Sequence, residues 1–163
     1  MWYNTVEPDE PLENARLEKD ILASRYPIVI ISGPSWCGKS SFLKGLKKYG
    51  AQILSMSEVL DNLIALLEAD SDVSFTDVMD ERLQDSRIIC IDDADLTLWG
   101  KVYTQRKLAE WIRHLSATRK VILSGIDVSE RCSELLACIP SEKTVYYRYA
   151  KKRGLTNLHY GWR

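Results

Sequence analysis

Five short apolar runs punctuate the chain: Pro27-Ile28-Val29-Ile30-Ile31-Ser32, Ala51 to Ser55, Arg87-Ile88-Ile89-Cys90-Ile91, Val121-Ile122-Leu123-Ser124-Gly125 and Thr144-Val145-Tyr146-Tyr147-Arg148-Tyr149. Each has the length of a strand, and the last is aromatic and β-branched. The segments between them follow helical spacing instead. Behind the acidic, proline-containing stretch Glu7-Pro8-Asp9-Glu10-Pro11, apolar Leu12, Leu17, Ile21 and Leu22 predict a short helix from about Leu12 to Ala23. Phe42, Leu43 and Leu46 share one face of a helix from Lys39 to about Tyr49, which Gly50 stops. Ser55-Met56-Ser57-Glu58 has capping-box spacing, and Val59, Leu60, Leu63, Ile64 and Leu67 give the clearest helical periodicity in the chain. After the polar break Asp70-Ser71-Asp72, Thr76 is expected to cap a short helix through Leu83. Thr104 to Ala117 predicts an amphipathic helix with Leu108, Trp111, Ile112 and Leu115 inward, and Val128 to Cys138 another that Pro140 ends.

Strands that alternate with helices predict an α/β fold, a parallel sheet covered by helices on both faces. Right-handed crossovers restrict its order. Numbering the five predicted strands along the chain, we expect the order 5-1-4-3-2, with the strand ending at Ser124 inserted between the first and the third. The 163 residues fit one domain. Its expected divisions are a lead-in segment over 1–26, the core over 27–150 and a basic, aromatic tail over 151–163.

The first strand runs into Gly33-Pro34-Ser35-Trp36-Cys37-Gly38-Lys39-Ser40, a complete G-x-x-x-x-G-K-[ST] phosphate loop. Such a loop cradles a triphosphate with main-chain N–H groups, which requires glycine where the backbone turns sharply or approaches the ligand. Lys39 supplies positive charge toward the β and γ phosphates, and the Ser40 hydroxyl is placed for Mg²⁺. The expected nucleotide site is Gly33 to Ser41, including Pro34, Ser35, Trp36, Cys37 and Ser41. The architecture expected is therefore that of a P-loop ATPase, with a nucleoside triphosphate as its ligand. The third strand ends in Asp92-Asp93-Ala94-Asp95, at the end of an open α/β sheet that faces the ligand. Asp92 is assigned to the metal, and Asp93 to orienting or deprotonating the attacking water. Asp95 reads as a capping or surface acid. Ser124, or Asp127 beyond it, is placed to reach between the γ-phosphate and that water; a plain turn at Ser124 is the competing reading.

Charge and composition narrow the setting. The formal charge of −1 gives no global basic field for nucleic acid, so any such contact is local. No apolar stretch reaches membrane-spanning length and Met1 to Glu7 lacks secretory-signal character, so the expected compartment is the cytoplasm, or the nucleus in a eukaryotic or viral setting. The four cysteines lack zinc spacing and read as free thiols, and His114 and His159 offer no ligand pair. Trp36 has two readings, stacking on a base or partner and packing over the loop. The tail Lys151 to Arg163 interleaves basic and aromatic residues, which suits DNA or RNA contact and equally docking of Tyr160 and Trp162 on protein.

From about Ile28 to Tyr149 the chain resembles the AAA+ core of the bacterial initiator DnaA and the related DnaC-type helicase loaders. The resemblance rests on Gly33 to Ser40, Gln52-Ile53-Leu54-Ser55-Met56-Ser57-Glu58, Ile91-Asp92-Asp93-Ala94 and Val121-Ile122-Leu123-Ser124. It implies ATP and Mg²⁺ held by Gly33, Gly38, Lys39, Ser40 and Asp92, with Asp93 in the water-activating place. Two departures qualify it. Family members continue into a helical lid with an arginine sensor, whereas only 151–163 follow the fifth strand here. They also carry an arginine finger where this chain reads Ser133-Glu134-Leu135-Leu136-Ala137-Cys138-Ile139-Pro140; Arg131, Lys143 and Arg148 are the substitutes at hand. An arginine finger is worth several orders of magnitude in rate, so slow hydrolysis is expected. The leading expectation is a lidless AAA+-like ATPase acting as adaptor, loader or regulator with a replication or other nucleic-acid-processing protein, with self-association open. The alternatives are a non-hydrolysing P-loop interaction module and, third, a small nucleotide kinase, for which no acceptor site or basic lid is found.

Overall fold

The computed structural model describes residues 3–6, 11–35, 37–69, 72–98 and 100–149. Trp36, the acids Glu7 to Glu10, Asp70-Ser71 and the tail 151–163, on which several expectations rest, lie outside them.

All five expected strands form. In chain order they are β2 (Ile28–Ser32), β3 (Gln52–Ser55), β4 (Ile88–Asp92), β5 (Lys120–Gly125) and β6 (Thr144–Tyr149). An unexpected strand β1 (Asn4–Val6) precedes them and pairs with β6. The sheet runs β1-β6-β2-β5-β4-β3 with every pair parallel, so the order predicted for five strands holds and the lead-in segment adds a sixth at the edge. β1 escaped prediction because three residues with only Val6 buried carry no periodicity.

Burial explains why these strands read as apolar runs. Ile28 and Ile30 of β2, Ile89 and Ile91 of β4, and Val121 and Leu123 of β5 face one core. Their neighbours Val29, Ile31, Ile88, Cys90 and Ile122 face another, as the two-residue period of a strand requires. The second core is roofed by α1 (Pro11–Ala23), through Leu17 and Ile21, and by α2 (Lys39–Gly45), through Phe42 and Leu43. The helix expected to reach Tyr49 tightens after Gly45 into a 3₁₀ turn and ends at Gly50, whose φ of 82° only glycine adopts freely.

The first core is covered by α3 (Met56–Glu68), α4 (Phe75–Leu83), α5 (Ala94–Leu98) and α6 (Val102–Ser116), with α7 (Val128–Arg131) and α8 (Ser133–Ala137) beyond. Ser55 and Glu58 form the full capping box expected of them. At α4 the cap is Ser74 rather than Thr76: the Asp77 N–H donates to Ser74 Oγ at 3.1 Å. The single helix expected over 128–138 breaks at Cys132, and Gln105 of α6, itself buried, takes up the loose ends. Its amide donates to the Leu98 and Arg131 carbonyls at 2.7 and 3.2 Å, and its oxygen accepts the Leu135 N–H at 3.0 Å.

Candidate functional site

Because β2, β5 and β4 are adjacent and parallel, their C-terminal ends bring Ser32, Asp92 and Ser124 to one edge of the sheet. The loop leaves β2 at Gly33, whose N–H donates to the Gly125 carbonyl at 3.1 Å. A Cβ on Gly33 would stand 2.7 Å from Tyr149 Cβ, an atom rooted in β6, so the close passage of the loop excludes any side chain. Gly38 closes the loop at φ 103° and its carbonyl accepts the first helical N–H of α2, from Phe42, at 2.9 Å.

Lys39 is 8 % exposed, and its ammonium lies beneath the loop, donating to the carbonyls of Gly33 at 2.5 Å and Pro34 at 2.8 Å. Contact with a phosphate requires it to exchange these for phosphate oxygens. Cys37 Sγ lies 3.6 Å from the same ammonium, and burial pushes the Cys37 thiol up against the opposing pull of Lys39. Its three donors are thus all directed into the loop.

Asp92 joins three segments. One carboxylate oxygen accepts the Ser40 hydroxyl at 2.7 Å; the other accepts the Ser124 hydroxyl at 2.6 Å and the Asp93 N–H at 2.9 Å. A serine that ends the loop, an acid that ends β4 and a serine near the end of β5 therefore converge, fifty-two and thirty-two residues apart in sequence. Asp93 is exposed with φ 55°, a left-handed conformation that few residues besides glycine, asparagine and aspartate adopt. Burial first, and then the neighbouring Asp92 charge, push its carboxyl above the ordinary range, with Lys39 pulling the other way.

Other residues sit apart from the expected arrangement. Ser41 lines a shallow groove of about 290 Å³ between α1 and α2, with Asn14, Glu18 and Lys48. Asp127 caps α7, accepting the Glu130 N–H at 3.4 Å. Arg148 stacks on Tyr3 at 3.9 Å and lies 4.0 Å from Asp127. Asp95 corrects the surface reading: it is fully buried, and one oxygen accepts the Asp127 N–H at 2.6 Å while the other has no hydrogen-bond partner among the described residues. The signal that points to it is Gly125 across the way, where a Cβ would stand 2.5 Å from that second oxygen.

The donors fit Mg²⁺ by their chemistry. Ser40 and Asp92 offer hard oxygens that already converge, and Mg²⁺ in phosphate sites takes one or two protein oxygens with phosphates and water filling the rest. Among the described residues no group of three or more His, Cys, Asp and Glu side chains could form an all-protein cage.

No protein-family model matches the sequence, and no curated protein matches it either. Solved structures do. Domain III of the Thermotoga maritima replication initiation protein DnaA superposes with a TM-score of 0.65 at 18 % identity, over 84 % of this chain and 60 % of that one. A replication initiator DnaA bound to AMPPCP and single-stranded DNA gives 0.63 at 15 % identity, over 87 % and 46 %. AMPPCP-bound DnaA from Aquifex aeolicus gives 0.56 at 15 %, over 81 % and 44 %. The chain thus spans three-fifths or less of the length of these structures, and it shares the fold of the DnaA P-loop domain with a six-stranded sheet.

Proposed function

We propose that this protein binds ATP with Mg²⁺ at the Gly33–Ser41 loop and acts as a nucleotide-dependent adaptor, loader or regulator in DNA replication or a related nucleic-acid process. The observation that carries the reading is the Asp92 carboxylate bonded to both Ser40 and Ser124. Nothing about packing alone asks for two hydroxyls and a carboxylate at the open end of three strands beside a phosphate loop. AMPPCP in two structures of the same fold, and single-stranded DNA in one, support the nucleotide and the process.

In this reading the loop amides and Lys39 hold the phosphates, and Ser40 and Asp92 hold the metal, which offsets phosphate charge when bound. Asp93 orients the attacking water and Ser124 keeps Asp92 turned toward Ser40. The raised pKa of Asp93 suits a proton acceptor that works nearer neutral pH than an ordinary carboxylate. Slow hydrolysis is expected, because no arginine lies in Ser133–Ala137 and Arg148, one of the three substitutes, stacks on Tyr3.

Calorimetric titration with ATP tests the binding. We expect Mg²⁺-dependent affinity that falls at least ~10-fold in Lys39→Ala, the cost of one charge-assisted phosphate contact. Equal affinity in the variant, or none in the wild type, sinks the proposal. Turnover is tested separately with Asp93→Asn: an unchanged rate favours a non-hydrolysing interaction module, for which the exposed, left-handed setting of Asp93 is the specific argument.

A further inference from the structure

Far from the phosphate loop, α3, α4 and α6 enclose an apolar groove of about 310 Å³, lined by Leu63, Leu67, Val73, Phe75, Tyr103 and Trp111 among others. Trp111 forms its floor, 1 % exposed and edge-on to Phe75 with ring centres 5.4 Å apart. Its indole N–H has no hydrogen-bond acceptor among the described residues. The rim is exposed: Leu67 by 59 %, Val73 by 53 % and Tyr103 by 63 %. Ile64 and Val102, next along α3 and α6, are also exposed. Among the described residues only Tyr49 is a large apolar side chain exposed elsewhere, so the apolar surface is gathered on one face rather than scattered.

Charge selects what can lie there. Residues 56–83 carry eight carboxylates against the single guanidinium of Arg82, a net −7 in a chain whose total is −1. Asp80 is answered by Arg119 and His114, and Glu58 by Arg82 at 3.9 Å. Asp61, Glu68, Asp77 and Glu81 form no ion pair among the described residues. Asp61, Ile64 and Glu68 follow one another at helical spacing on α3, so acid and apolar groups alternate along the same stripe. Lys107 and Glu110, the charged side chains in the groove lining, pair with each other at 3.9 Å, so the acids of α3 and α4 beside it set the sign of the face, and a polyphosphate backbone or an anionic lipid surface is disfavoured there.

We infer that this groove docks a cationic amphipathic helix of a partner protein, its aliphatic or aromatic side chains entering over Trp111 and its lysines or arginines meeting the acids of α3 and α4. The inference does not rest on the nucleotide reading, since none of the groove residues belongs to the loop or to the Asp92 cluster.

The test is amide NMR of the full ¹⁵N-labelled chain, titrated with a synthetic Leu/Lys amphipathic peptide of roughly 14 residues, about four helical turns. Its Leu/Glu counterpart and a single-stranded oligonucleotide serve as comparisons. The expected result is that the Leu/Lys peptide alone shifts residues 63–67, 73–76 and 103–111. Affinity falls at least ~10-fold when Leu67→Ser and Tyr103→Ser remove exposed anchors, and several-fold in Asp61→Lys with Glu68→Lys, more weakly at high salt. These substitutions sit on the surface, and the unliganded spectrum reports whether the fold persists. Shifts elsewhere, equal affinity in the variants, or the same residues moving with the oligonucleotide would overturn the inference. So would movement of these resonances on deleting 151–163, which would put the chain's own tail in the groove. An ATP titration in the same sample reads the phosphate loop independently, so failure of one proposal is distinct from failure of the other.

Discussion

At the scale of single residues, the site depends on contacts that leave no room. A Cβ on Gly125 would stand 2.5 and 2.7 Å from Asp95 Oδ1 and Cγ and 2.9 Å from Val128 Cγ2. Asp95 cannot retreat without releasing the Asp127 N–H, so Gly125→Ala is expected to cost about 2 kcal/mol by overpacking. Chemical denaturation checks this, and Asp95→Ser in the same chain should recover part of the loss. Asp93 gives the opposite sign. Its folded pKa is raised, so the ionised form is disfavoured in the fold and stability is lost as pH rises from the unfolded pKa through the folded one. Asparagine removes the like charge beside Asp92 and tolerates φ 55° better. Asp93→Asn is therefore expected to raise the melting midpoint by about 1–2 °C at neutral pH and to flatten that pH dependence, while turnover, where present, falls. A lower midpoint would contradict the assignment of strain and repulsion to this position.

Between elements, the joints are made by a few polar side chains. Lys120, at the start of β5, donates to the Ile21 and Ser24 carbonyls at 2.6 and 2.7 Å and so closes the C-terminal end of α1, where a cation is favoured. Burial holds its pKa below the ordinary lysine value. Lys120→Met keeps the apolar stem but takes this donor from the Ser24 carbonyl and leaves the Ile21 carbonyl with the Ser24 N–H at 3.3 Å; we expect a loss of about 1–2 kcal/mol and faster amide exchange confined first to α1. Uniformly faster exchange would show that α1 is held by Leu17 and Ile21 alone. The break between α7 and α8 belongs to the same scale: Gln105 satisfies both ends from a helix thirty residues away, which is why the local pattern over 128–138 reads as one helix.

For the molecule as a whole, Asp80 ties α4 to α6 and to the turn before β5 through His114 at 2.8 Å and Arg119 at 3.1 Å. Burial raises the Asp80 carboxyl, but the two partners outweigh it and leave the pKa lowered. The stability this contributes is present above the unfolded carboxylate pKa and lost as pH falls through the folded one. Asp80→Asn should lower the melting midpoint at pH 7 by about 1–3 °C and make the acid limb of a stability profile shallower, whereas an unchanged limb would remove Asp80 from that role. The sheet order, the phosphate loop and Asp92 were legible because buried parallel strands write themselves as apolar runs and the loop writes itself in glycines. Asp95 was not, because its burial comes from Gly125 thirty residues on; nor was β1, whose three residues gain meaning only beside β6. The Ser74 cap was missed for a local reason, a second hydroxyl two positions away.

β6 lies between β1 and β2, so β1 has no neighbour in the sheet until β6 arrives. Asn4–Val6 must wait, unzipped, while about 140 residues are translated, and can then join only the outer edge of Thr144–Tyr149. A nascent chain stalled before Thr144 would hold its phosphate loop without the Tyr149 wall against which Gly33 is packed.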